Sequence, residues 1–211
     1  MEVKSAKSLP ALGFLTAIES PAQGFFGGYL VLNAAGRPLE FHCTAPVKAN
    51  RAQQILYGPT LASYLLAEQI GQALVRKASQ KPPVLLTDLP VMLDLRLFVA
   101  TPVALVLTGA AASGHLDVVS PPPELNGEDP RHGDGLLEDG WLYVDGPQEE
   151  GRRLAVLQLS TQRLAVAAHR RSYMVPWSGA LAEIAERLEF AEPFTRIRDA
   201  IHEAQQIHHA A

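Results

Sequence analysis

One cysteine among 211 residues excludes an intrachain disulfide, and without a Cys-x-x-Cys pair there is no thiolate set for structural zinc or redox exchange. Such usage fits a reducing compartment, so a cytoplasmic location is expected. Positive charge is also short: 18 Lys and Arg stand against 22 Asp and Glu, a net charge of −4. A generally basic nucleic-acid binder or a polybasic membrane-surface protein is thereby disfavoured. The early apolar run is broken by Pro10, Gly13 and Thr16 and stops at Glu19, so no signal peptide is expected. One uncharged run, residues 97–114, has the length of a membrane span. Thr101, Pro102, Thr108, Gly109 and Ser113 interrupt it, and a buried strand of an open α/β sheet explains the same composition; no membrane partner is expected.

Specific motifs are missing too. Gly24, Gly27 and Gly28 spell G-x-x-G-G, but no Lys-Ser/Thr follows and a strand comes next, so this is neither a P-loop nor a dinucleotide fingerprint. Close strand packing or a bulge is the expected reason for these glycines. His42 and Cys43 are neighbours, yet on a strand adjacent side chains take opposite faces and cannot form a dyad.

What the chain does have is core. At 47% hydrophobic residues it is expected to fold as a soluble globule. Strands are predicted at about 13–19, 25–32 and 38–44, with Asn33 and Gly36 supplying the turn of the second hairpin. On the third strand, Leu39, Phe41 and Cys43 are expected to form a dry face and Glu40, His42 and Thr44 a polar one. A short helix over about 50–57 ends at Gly58, and Pro59 opens a longer one to about 78. That longer helix carries Leu66, Ile70 and Leu74 on one side and Tyr64, Leu65 and Val75 on another, which predicts burial between layers or at a subunit contact. Short strands at about 84–87 and 102–107 flank a region with a helical turn or two.

Residues 120–140 change composition sharply to Pro, Gly and acid, the pattern of a linker or mobile loop. Residues 120–150 hold nine of the 22 acidic residues and one basic one; the stretches on either side are each slightly basic. Three antiparallel strands and two helices are predicted beyond. The expected organisation is therefore an α/β core over 1–119, the acidic linker or mobile loop over 120–140, and a C-terminal β-then-α part over 141–211 that either stands alone or continues the core. The predicted fold class is α/β or α+β with a mixed sheet, ordered β-β-β-α-β-(α)-β and then β-β-β-α-α.

Candidate site residues fall into three groups. Glu40, His42 and Thr44 share a strand face that Lys48 and Arg51 can join from the following turn. Arg152, Arg153, Arg163, Arg170 and Arg171 form a candidate basic patch for phosphates or an acidic partner. The third group comes from topology. Three antiparallel strands followed by helix, strand, helix, strand resemble the ribonuclease-H-like fold, and that resemblance implies carboxylates on the first strand, the first helix and the end of the fourth strand, holding two divalent metals such as Mg. Glu19, Glu68 and Asp88, with Asp94 nearby, take those places.

The segments PLEFHCTAPVKANRAQQILYGPTL and LEFAEPFTRIRDAIHEAQ resemble uncharacterised bacterial proteins. That resemblance implies a bacterial, cytoplasmic origin and brings no activity, cofactor or partner. The sequence alone favours a non-enzymatic binding or assembly module without a cofactor, with a protein partner or self-association through the long helix. A metal-dependent nuclease acting on nucleic acid stands second. A small-ligand protein with Asp88 and His115 on the rim of its crevice stands third.

Overall fold

The structure, a computed structural model, describes residues 9–108, 141–145 and 153–210. Among the described residues eight strands form one mixed sheet: β1 (Leu12–Ser20), β2 (Gly24–Leu32), β3 (Pro38–Cys43), β4 (Leu85–Thr87), β5 (Val103–Leu107), β6 (Trp141–Asp145), β7 (Arg153–Leu159) and β8 (Gln162–Ala167). Their spatial order is β3-β2-β1-β4-β5-β8-β7-β6. The parallel pairs are β1–β4 and β4–β5, and the other pairs are antiparallel. The mixed α/β class follows, as does the expected crossover through helical pieces.

Helix α1 (Arg51–Tyr57) begins with a reciprocal capping box. The Gln53 amide donates to Asn50 Oδ1 at 2.8 Å while the Asn50 amide donates to Gln53 Oε1 at 2.9 Å, satisfying two backbone donors at the helix start. Gly58 takes φ +49° at its end, a conformation costly for a side chain. Helix α2 (residues 61–77) is α-helical at both ends and π-helical over Tyr64–Gln72. A 3₁₀ segment, Pro90–Leu97, packs against it. Helices α3 (Ser178–Ala185) and α4 (Glu192–Ala210) close the chain.

Two apolar layers result. Leu15, Tyr29, Val31, Leu85 and Leu105 meet Leu66, Ile70 and Leu74 of α2 together with Met92 and Leu95. On the other face Phe14, Leu30, Leu86 and Val106 meet Leu181 and Ile184 of α3 and Phe194, Ile197 and Ile201 of α4. Phe194 sits edge-on to Phe14 with centroids 5.7 Å apart, a favoured aromatic arrangement.

One expectation is corrected and two are resolved. The face of β3 with Leu39, Phe41 and Cys43 is not dry: Leu39 is 48% and Phe41 38% exposed, and Cys43 is exposed as well. The reason is position, because β3 is the edge strand. Helix α2 takes the first of its two expected alternatives, burial between layers: Leu66, Ile70 and Leu74 meet the sheet, the 3₁₀ segment packs against the helix, and Tyr64 stacks on Tyr57 of α1. The uncharged run near residue 100 supplies β5, and no described helix is long and apolar enough to cross a membrane.

β2 is covered on both faces, as its unbroken apolar run predicts. A Cβ at Gly27 would collide with Ile70 of α2, and one at Gly28 with Ile197 of α4. Replacing Gly by Ala in a strand returns about 0.5–1 kcal/mol through the unfolded chain, but overpacking costs about 1–3 kcal/mol. Gly27→Ala and Gly28→Ala are therefore each expected to lower stability in urea denaturation, with Gly179→Ala, which meets no atom within 4 Å, as the tolerated control.

Candidate functional site

In an open sheet with parallel central strands, ligands bind beyond the carboxyl ends of those strands. Here that edge is made by the end of β1 at Glu19 and Ser20, the end of β4 at Thr87, followed by Asp88, and the end of β5 at Leu107, paired with Arg163 of β8. Two clefts flank the β1 corner. One, of about 520 Å³, lies on the α2 side and is lined by Glu19, Ser20, Phe25, Lys48, Gln54 and Leu65 among others. The second, about 430 Å³, lies on the α4 side between Gln23, Phe26, Cys43, Thr44, Ile201 and Gln205.

Asp88 is the acid of this edge with a fixed partner. Its Oδ2 accepts from Arg198 of α4 in a short ion pair, with the Asp88 side chain 9% exposed and that of Arg198 37%. The β1–β4 register, Leu15 opposite Thr87, continues to bring Thr16 level with Asp88. Thr16 is fully buried, and Thr16 Oγ1 and Asp88 Oδ1 are both buried without a hydrogen-bond partner.

The carboxylates proposed from topology do not gather. Asp88 turns to α4, whereas Glu68 belongs to α2 on the opposite side of the sheet. Glu19 is exposed at the end of β1, and Asp94 lies in the 3₁₀ segment. No three His, Cys, Asp or Glu side chains among the described residues lie where they could hold one ion. The donor set does not fit a two-metal centre, which needs converging carboxylates around ions about 3.5–4 Å apart.

Of the polar β3 face, each member has a structural bond. Glu40 accepts from the Ser79 amide and hydroxyl, both at 2.9 Å, from the Gln80 amide at 2.7 Å, and contacts His42 Nε2 at 2.7 Å. Thr44 Oγ1 accepts from the Gly27 amide. Lys48 donates to the Ala22 carbonyl, and Arg51 reaches Gln54. This cluster ties the edge strand to the end of α2.

The arginines divide between the two ends of β8. Arg163 sits at the crevice edge, bonded to Gln158, while Arg170, which donates to the Arg96 carbonyl, and Arg171 follow the strand's far end, near Arg153 of β7. Arg152, His115 and the acidic linker lie outside the described residues. Arg198 was not among the candidates read from the sequence. Its importance comes from a contact 110 positions away, which no local pattern announces.

Comparison with solved structures decides the architecture. The chain matches human endonuclease V with TM-score 0.52 at 13% identity, covering 94% of this chain and 87% of that one. Its fold is that of human endonuclease V. A second structure of the human catalytic domain gives TM-score 0.48 at 14% identity, covering 95% and 85% of the two chains. Endonuclease V of Ciona intestinalis, solved with a 23mer DNA containing an inosine, gives 0.47 at 11% identity, covering 95% and 88%. No family model and no curated protein matches the sequence. The likeness to human endonuclease V corrects the expected non-enzymatic binding or assembly module: the fold points to a nuclease.

Hydrogen bonds from the Ser79 amide, the Gln80 amide and His42, in that order of weight, pull the Glu40 carboxyl from its ordinary 4.5 to about 2. A lowered folded pKa stabilises the native state above the unfolded pKa and loses that contribution as pH falls toward the folded one. Thermal unfolding is expected to show Glu40→Gln less stable than the parent at neutral pH, with the gap closing from about pH 4.5 toward 2. A gap that stays constant over that range would show that the carboxylate charge is not what binds Ser79 and Gln80.

Proposed function

We propose that this chain acts on nucleic acid as a nuclease-type protein, engaging a strand along the carboxyl edge of β1, β4 and β5. The observation that carries this reading is the sheet itself: an endonuclease V-like architecture over 94% of the chain with a buried acid, Asp88, directly after β4. Charge along the edge supports it. Lys48 lines one cleft, Arg163 ends the β5–β8 pairing, and Arg198 stands over Asp88, three cations suited to a phosphodiester backbone despite the chain's net negative charge. The acidic excess lies in residues 120–150, away in sequence from all three.

Divalent metal is the usual partner of this fold's chemistry, but the described carboxylates do not assemble around an ion, and no scission step is assigned to one. The cytoplasm is the compartment in which this reading is placed, from the single cysteine.

The test is a panel of labelled single- and double-stranded DNA and RNA, with and without inosine, followed by anisotropy and on denaturing gels. At least one member is expected to bind and to be shortened, with log affinity falling linearly in log salt by about 0.7–0.9 per neutralised phosphate. A chain that neither retains nor cuts any member contradicts the proposal.

A further inference from the structure

The fold class resembled here uses acids on the first strand, the first helix and after the fourth strand to balance the charge of divalent ions. In this chain the first strand contributes Thr16 where it runs level with Asp88, the helix acid Glu68 belongs to the other face, and Asp88 alone remains. Its single negative charge is already met by Arg198, which in proteins is always protonated. A divalent ion beside Asp88 would bring two further positive charges against no further gathered carboxylate among the described residues, next to a guanidinium and in a largely desolvated place. Small divalent ions require oxygen ligands and charge compensation, and a buried uncompensated charge is strongly unfavourable.

We propose that Arg198 stands where this fold would hold a metal ion, a built-in cation that makes the Asp88 centre independent of divalent metal. Deepening the nuclease-type reading, the inference concerns the cofactor of that same edge. Arg198 is the residue on which it turns, because its side chain is 37% exposed while one amino group is spent on Asp88.

Thermal unfolding of the full chain in EDTA, Mg²⁺ and Mn²⁺ tests it, since any ligand that prefers the native state raises Tm with its concentration over Kd. The parent is expected to shift by less than about 1 °C at about 10 mM of either ion. Arg198→Gln is expected to lose stability and to gain a Mn²⁺-dependent rise, as the uncovered carboxylate seeks a cation; if that variant does not fold, Arg198→Lys, which keeps the charge, is expected to stay insensitive to metal. A Mn²⁺-dependent rise in the parent that disappears in Asp88→Asn overturns the proposal. A metal-insensitive chain that ignores every oligonucleotide would defeat the proposed function and leave this inference standing. One that binds nucleic acid and takes Mn²⁺ at Asp88 would do the reverse.

Discussion

Burial of the β1–β2 hairpin on both faces is the constraint from which the rest follows. Phe14 and Leu15, successive residues of β1, enter two different cores, and Gly27 and Gly28 of β2 are the close-approach points of α2 and α4. A strand dry on both sides has no place for a free carboxylate, because an unpaired buried charge costs several kcal/mol. The interior of β1 accordingly carries only Thr16 as a polar side chain, neutral and fully buried. Polar chemistry is driven outward, to the edge strand β3 and to the carboxyl edge where Asp88 meets Arg198.

That displacement explains how the chain keeps the fold it shares with human endonuclease V while its described carboxylates do not gather around an ion. Architecture is held by layers of Leu, Ile, Val and Phe that are indifferent to what happens at the strand ends, so a site can change while the fold persists. Asp88 and Arg198 illustrate the change. Together they form an internally neutral pair that links the end of β4 to α4 across one face of the sheet.

Much of the architecture was legible because it rests on local periodicity. The alternation in residues 12–20, the unbroken run Tyr29–Leu32, the Asn33–Gly36 turn and the Gly58 stop each announce their element through side-chain chemistry within a few positions. Lateral position was not legible: nothing in Leu39, Phe41 and Cys43 says that the strand bearing them lies at an edge, and alternation alone predicts the opposite burial. The site was legible in halves. An acid directly after a buried strand marks Asp88, but Glu68 on the far side of the sheet and Arg198 on the last helix acquire their relation to it only through long-range packing. Arg163 and Arg170 share a strand's neighbourhood in sequence, yet β8 separates them to its two ends.

The central claim, that Asp88 is closed by Arg198 as one energetic unit, is tested most directly by a double-mutant cycle. Urea unfolding of the parent, Asp88→Asn, Arg198→Gln and the double variant gives their interaction free energy without any ligand. A coupling of about 1 kcal/mol or more is predicted, because either single change strands its partner. Additive losses, with a coupling near zero, would contradict the account.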